Sequence, residues 1–365
     1  MSTKDTTPAG LDRRRFLAGL AVGSGVAVLN RLAVGGESPA PRSKMGLASD
    51  CWSLHQRAQV AKGQKGDLSD PQRLLERCYQ LGAGGMQAPL GVRDEAYCSG
   101  LRRWAEAHEM YIEGSSSLAD SRFDAERFEK EVLTAKAVGA TVVRTVVIPG
   151  RRYEQFNSAE EFARSSQRAA ERLRQVEPIM TRHRMQLAVE NHKCHRVAER
   201  LDLLKRLGSE WIGMCVDTGN SIALCEDAMA VVRAYAPFAF SVHVRDQGVQ
   251  EYEDGFLFTD IALGQGFLDV PATVQVLREA RPELHFSLEV IARDPLKVPV
   301  LTPKYWATMP GVPATDLAWT LRTVKTKTPR EPLPRIDSLP LEQRVQYEQR
   351  MVEESLTYAR EHLGL

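Results

Sequence analysis

From about residue 44 the chain alternates short apolar runs with longer stretches in which apolar positions recur every three to four residues. This is the pattern of strand and helix units that build a parallel sheet. Eight runs stand out: Met45–Ser49, Gly84–Ala88, Met110–Gly114, Thr141–Ile148, Gln186–Glu190, Ile212–Asp217, Phe238–Val244 and His285–Val290. The fourth is rich in β-branched residues without strict alternation, as a strand covered on both faces requires. Helix punctuation separates the runs. Asp70 before Pro71 reads as an N-cap and a first-turn proline, Ser158 with Glu161 forms a capping box, and Gly82, Gly139 and Gly208 sit where helices should stop. Eight such units close into a (β/α)8 barrel, the TIM barrel. An open doubly wound sheet is the structural alternative, but its GxGxxG phosphate fingerprint is absent.

The flanks read differently. A Pro-rich stretch runs from Pro295 to Pro313, a helix around Thr315–Val324 completes the eighth unit, and a second polar, Pro-rich linker covers Thr328 to Pro340. A final helical pattern, Leu341–His362, is expected to pack on the barrel or on a partner subunit. At the other end, Asp12-Arg13-Arg14-Arg15-Phe16-Leu17 precedes a weakly apolar run from Ala18 to Leu29, the pattern of a twin-arginine export signal. The apolar run is too short for a membrane span, which needs about 20 residues. The expected organisation is a signal peptide and linker over 1–43, the barrel over 44–327 and a helical extension over 328–365. Export to the periplasm or cell envelope then makes the twin-arginine translocon a partner. That route carries folded proteins, so a metal could be inserted before export.

Composition narrows the function. Lys plus Arg number 48 against 47 for Asp plus Glu, so no net field favours nucleic acid or an anionic membrane. The 43% hydrophobic and 26% charged content is that of an ordinary globular chain. Six cysteines are spread without any CxxC pair and spell no zinc site; they are expected to be mostly buried thiols.

In a parallel barrel the site lies at the C-terminal ends of the strands, so polar residues that terminate apolar runs carry the chemistry. The fifth run ends in Val189-Glu190-Asn191-His192 and the sixth in Val216-Asp217-Thr218-Gly219-Asn220; the seventh reads His243-Val244-Arg245-Asp246 and the eighth Leu288-Glu289-Val290. Taken singly, a carboxylate here could cap the next helix, and His243 could be a hydrogen-bonded core residue. A carboxylate buried at a strand end is costly unless paired or metal-bound, and four successive strands each deliver such a group: Glu190, Asp217, His243 and Glu289. Three carboxylates and one imidazole suit one divalent ion, Mn²⁺, Mg²⁺ or Co²⁺ first, with Zn²⁺ also within reach. His192, Arg196, Asn220, Arg245 and Arg293 follow on the loops and could bind substrate hydroxyls or an anionic group. Asp50, Trp52, Gln87 and Glu113 also point toward the mouth; Trp52 could stack on a sugar face, although a packed core residue is the better reading of it.

In order along the chain, the phrases VENH, VDTGN, HVRD and LEV resemble the strand-end motifs of the xylose isomerase-like barrel family, over roughly residues 44 to 325. That resemblance implies that Glu190, Asp217, His243 and Glu289 bind one divalent metal and that Glu190 and Glu289 double as the acid/base pair. The family often has Lys at the position of Arg245, and its ketose epimerases tend to carry His at that of Asn220, so the substrate stays open. The implied activity is isomerisation or epimerisation of a keto-sugar or polyol through an enediolate. Dehydration by an inosose-type lyase is a neighbour on the same reaction coordinate. Endonuclease IV-type enzymes share the barrel but need a His-rich zinc cluster and a basic surface, against 8 histidines and a net charge of +1 here. A non-catalytic carbohydrate-binding barrel would tolerate loss of ligands, whereas all four are present. A homo-oligomer stays open.

Overall fold

A computed structural model describes residues 42–64, 67–120 and 122–365; the twin-arginine segment lies outside them. The chain enters through β1 (Gly46–Ala48), helices α1 (Ser53–Ala61) and α2 (Pro71–Gln80), β2 (Gly85–Pro89), α3 (Glu95–Ala107) and β3 (Tyr111–Ser115). It continues through α4 (Arg122–Ala137), β4 (Val142–Thr145), the short α5 (Arg152–Gln155), the long α6 (Ala159–His183), β5 (Gln186–Glu190), α7 (Val197–Leu207) and β6 (Ile212–Asp217). Helix α8 (Ala228–Tyr235) leads to β7 (Ala239–Val244), which runs through Arg245 into a hairpin of β8 (Asp246–Tyr252) and β9 (Gly255–Ile261). Then come α9 (Val270–Ala280), β10 (Phe286–Leu288), β11 (Leu296–Val298), α10 (Pro303–Trp306), α11 (Ala314–Lys327) and α12 (Leu341–Tyr358).

Strands β1 to β7 and β10 close a parallel barrel in the order β1-β10-β7-β6-β5-β4-β3-β2. The eight expected runs are the eight barrel strands; the fifth and sixth keep their expected bounds, the second and third shift by one residue, and the others are shorter, the fourth ending at Thr145 rather than Ile148. The helix signals act as their chemistry requires. Asp70 accepts from the Gln72 and Arg73 amides ahead of Pro71, and Ser158 accepts from the Glu161 amide. Gly208 closes α7 with φ +63°, a left-handed conformation that suits glycine.

The stretch after β7 departs from the expected pattern. β8 and β9 pair antiparallel, and β11, from within the Pro-rich stretch, adds to β9 to make a separate three-stranded sheet. Phe256, Phe258, Val249 and Val298 of this sheet form a second apolar cluster with Tyr153, Ile222 and Tyr305.

Helix α12 packs on α1 of its own chain. Its buried Glu348 accepts from the backbone amides of Leu54 at 2.8 Å and His55 at 2.9 Å and from the Ser53 hydroxyl at 3.3 Å, so it satisfies the otherwise free first-turn donors of α1. Met351, Val352 and Leu356 are buried behind it. All six cysteines are free, buried thiols.

Candidate metal centre

The strand register brings the four strand-end groups together. Glu190 lies beside Cys215, Asp217 beside His243, and His243 beside Ser287 on β10. Glu289 follows two residues after Ser287, which returns it to the same side of the strand. One ligand atom from each of Glu190, Asp217, His243 and Glu289 can be chosen so that all lie within 4.8 Å of one another, and all four residues are buried. Donors on opposite sides of an ion with bonds of about 2.1–2.3 Å stand about 4.2–4.6 Å apart, so the cluster has the right size for one divalent cation.

The hydrogen bonds around His243 set its ring for such a role. Gln87 donates its amide to Glu113 at 2.8 Å and to Ser241 at 3.0 Å, which turns its oxygen toward His243 Nε2 at 2.6 Å. That nitrogen therefore donates its proton to Gln87, and Nδ1 is the side that can offer a lone pair once a metal displaces its own proton. Nδ1 of His243 and Oδ2 of Asp217 are both buried and make no well-aligned hydrogen bond. Each instead faces a charged partner, His243 Nδ1 at 2.8 Å from Glu289 Oε2 and Asp217 Oδ2 at 2.6 Å from Arg245 Nε, in poor hydrogen-bond geometry, and a metal ion would give both lone pairs a better-aligned partner.

Two guanidinium groups counter the carboxylates. Arg144 on β4 grips Glu190 Oε2 with two nitrogens, the Nε contact being 2.8 Å. Arg245 reaches Asp217 Oδ2 at 2.6 Å, both oxygens of Asp260 at 2.9 Å, and Glu289. The acid strengths separate accordingly. Burial would raise the Glu190 carboxyl, but Arg144 together with His243 and His192 outweighs it and holds it at about 2. Asp217, where burial and the neighbouring acids outweigh Arg245, is pushed up to about 6. Burial opposes ionisation of Glu289 too, yet Arg245 and His243 hold it well below the carboxylate range. Burial likewise opposes a charge on His243, but Cys215 and Glu289 beside it hold its proton well above the ordinary imidazole range. A metal ion therefore has to displace a proton from His243.

The remaining expected residues fall into two groups. Asn220 is at the cluster, donating to Glu190 Oε1 at 3.3 Å, with its backbone amide bonded to Asp217 at 2.9 Å. Arg245 is inside the cluster as described. Gln87 and Glu113 support it from the barrel interior. His192 sits half-buried on the following loop with Nδ1 at 3.0 Å from the Gly150 carbonyl. Arg293 is half-buried after β10, its Nε buried without a hydrogen-bond partner. Arg196 turns to Glu226 at 3.5 Å and to Asp316 on α11, so its charge serves helix packing. Trp52 is a core residue beneath Arg77; Asp50, though exposed as a whole residue, turns its carboxyl toward the cluster, where burial and Glu289 raise it and Arg144 and His243 lower it.

Sequence reasoning missed Arg144, Asp260 and Lys193. A lone arginine in the β-branched run Val142-Val143-Arg144-Thr145 was the available signal, since a charge in a covered strand needs a buried partner.

The family model described as xylose isomerase-like TIM barrel matches residues 75–310, more than half of the chain. The chain belongs to this family. Within it, a curated relative, the 3-oxo-isoapionate decarboxylase of Pectobacterium atrosepticum, is 26% identical over 212 residues, covering 56% of this chain and 72% of the relative. Among solved structures, an L-ribulose 3-epimerase superposes with a TM-score of 0.52 at 15% identity, covering 87% of this chain and 95% of that one. A xylose isomerase-like barrel protein from Mycobacterium smegmatis in complex with magnesium gives 0.47 at 13% identity, covering 69% and 87% of the two chains. This xylose isomerase-like barrel thus shares its fold with sugar-processing enzymes.

Proposed function

We propose that the protein is a metal-dependent enzyme that moves a proton at the carbon beside the carbonyl of a keto-sugar, isomerising or epimerising it through an enediolate. The observation that carries this reading is the placement of two ionised glutamates, Glu190 and Glu289, on strands separated by those bearing Asp217 and His243, each held by its own arginine. A divalent ion held by Glu190, Asp217, His243 and Glu289 would supply the Lewis acidity that makes the adjacent C–H bond acidic. One glutamate takes the proton from the carbon; in an isomerisation it returns that proton to the neighbouring carbon, and in an epimerisation the second glutamate, after taking up a proton from solvent, delivers it to the opposite face. Arg144 and Arg245 keep both carboxylates ionised in a dry site, where burial alone would protonate them. Asn220, bonded to Glu190, fixes the carboxylate orientation.

A second reading is decarboxylation of a 3-oxo sugar acid, favoured by the relative of that activity. Carbon dioxide leaves with the carbon–carbon bond's electrons flowing into the same enediolate, and only a proton donor is then required.

The test is to incubate the metal-loaded protein with keto-sugars and 3-oxo sugar acids in D₂O. Deuterium entering beside the carbonyl supports the first reading, and Glu190→Gln and Glu289→Gln should each lower turnover by about 10²-fold to 10⁴-fold. Carbon dioxide release, with only one of the two glutamines being damaging, would favour the second. Near wild-type turnover in both variants would end the two-glutamate mechanism. Export by the twin-arginine route is also proposed, on the Arg13-Arg14 pair and the weakly apolar run after it.

A further inference from the structure

Two cations beside the centre make no direct ion pair among the described residues, with Asp260 acting on both only at longer range. Lys193, three residues after Glu190, is 3% exposed, and among the described residues no carboxylate lies within ion-pair distance of it. Its ammonium rests 5.7 Å from the centroid of the Phe258 ring on β9. Two residues further along the same strand, and so on the same face, Asp260 holds Arg245 at 2.9 Å. Lys193 therefore faces the same side of the small sheet as the guanidinium that bridges Asp217 and Glu289. Arg293, four residues after Glu289, is brought to β9 by the Thr259 hydroxyl, which donates to its carbonyl at 3.4 Å. It also lacks a carboxylate within ion-pair distance among the described residues, and its Nε is buried without a partner. The hydroxyl of Tyr153 on α5 is a further buried polar atom without a partner; the neighbouring Arg152 amide donates to the Lys193 carbonyl at 2.9 Å.

The charges do not close without an added anion. The carboxylates of the centre are Glu190, Asp217, Asp260, Glu289 and, beside Arg144, Asp50, and two guanidiniums, Arg144 and Arg245, with one divalent ion leave a single negative charge among them against two further cations. Lys193 and Arg293 remain. Burial pushes the Lys193 ammonium down to about 8, with Arg245 and Arg293 pushing the same way and Asp217 and Asp260 opposing them only in part. A buried cation without a partner costs several kcal/mol, so a site that keeps one is built for a charge that arrives with its ligand.

We propose that Lys193 and Arg293, with the Tyr153 hydroxyl, form an anion subsite that binds a carboxylate on the substrate, so that the enzyme acts on a sugar acid rather than a neutral sugar. This rests on the carbonyl-chemistry reading of the metal centre for the remainder of the substrate. A carboxylate fits because one cation, one guanidinium edge and one hydroxyl match its few acceptor positions. A phosphate brings more charge and a third acceptor edge.

The test is calorimetric titration of the full-chain, Mg²⁺-loaded protein with matched ligands: D-ribonate against ribitol and D-ribose 5-phosphate, and D-gluconate against D-glucitol and D-glucose 6-phosphate. At least one aldonate should bind about 10-fold to 100-fold more tightly than its alditol. Lys193→Met should abolish that preference while leaving alditol affinity within about twofold, and Lys193→Arg should restore part of it. Because methionine removes an unpaired buried charge and keeps the packing on Phe258, its melting temperature should equal or exceed that of the wild type. No aldonate preference in either set would overturn the subsite. So would a preference that survives Lys193→Met combined with Arg293→Gln, since the acid would then be chelating the metal. A tenfold preference for the phosphates would overturn the assignment to carboxylate. Absence of deuterium exchange and of carbon dioxide release with an intact aldonate preference would sink the carbonyl chemistry and leave the subsite standing. Exchange on neutral keto-sugars without that preference would do the reverse.

Discussion

Replacing Gln87 with methionine tests how the metal centre is oriented without touching a ligand. Gln87 is 3% exposed and accepts from His243 Nε2 at 2.6 Å, and its own amide is fixed by Glu113 and Ser241. Methionine fills a similar volume but offers no acceptor of comparable strength, so the imidazole N–H is left buried and unpaired and the ring is free to turn. Loss of such an outer partner costs about 10-fold to 100-fold in metal affinity, or ~1.4–2.7 kcal/mol. Folding stability should fall by about 1–3 kcal/mol, because Glu113 and Ser241 lose a donor at the same time. Competition for Mn²⁺ or Zn²⁺ against a chromogenic chelator reads the affinity, with circular dichroism confirming that the variant is folded. Nitrogen NMR of the loaded wild type should show His243 protonated at Nε2 only. An affinity within twofold of wild type, or a His243 protonated at Nδ1 in the loaded protein, would refute the orientation argument.

Further outcomes follow from the same geometry. Asp217→Ala and His243→Ala should each lose the metal or bind it far more weakly, by elemental analysis of the purified protein. Metal affinity should fall with pH in two stages. His243, held charged in the metal-free protein, costs one proton across the neutral range, and below about pH 6 the protonated Asp217 adds a second, steepening the loss to about 100-fold per pH unit. Glu348→Ala should destabilise the fold by about 2–4 kcal/mol in urea unfolding, since it strips the acceptor from two α1 amides and the Ser53 hydroxyl and leaves a void. Arg13→Lys with Arg14→Lys should leave the protein in the cytoplasm by fractionation; normal export of that variant would remove the localisation proposal.

The barrel was legible because covered parallel strands must be apolar throughout, so a polar residue at a run's end stands out, and Glu190, Asp217, His243 and Glu289 each did. Their convergence follows from register, which strand order alone does not supply. The small second sheet was harder. Its hairpin turns at Glu253-Asp254, a pair without the glycine that usually announces a two-residue turn, and β8 is polar enough to read as loop beside the strong apolar run of β7. β11 is only three residues long inside a proline-rich stretch, and its pairing with β9 is a contact between distant segments that composition does not announce. Arg144 was passed over because β-branched neighbours dominate its run. The partners of Arg245 were hidden for a related reason: Asp260 lies 15 residues away on an element that was not anticipated.

The sewing of β8, β9 and β11 into one sheet ties together two segments that barrels usually vary separately, the one after β7 and the one after β10. Asp260 on that sheet grips Arg245, and Phe258 underlies Lys193, so the sheet touches both the centre and its cationic flank. A length change in either segment shifts the other through the shared strand pairing. Attempts to transplant a new specificity onto this scaffold should therefore exchange residues 246–261 together with 291–300 as a single cassette, because either half alone would arrive without the edge it pairs with.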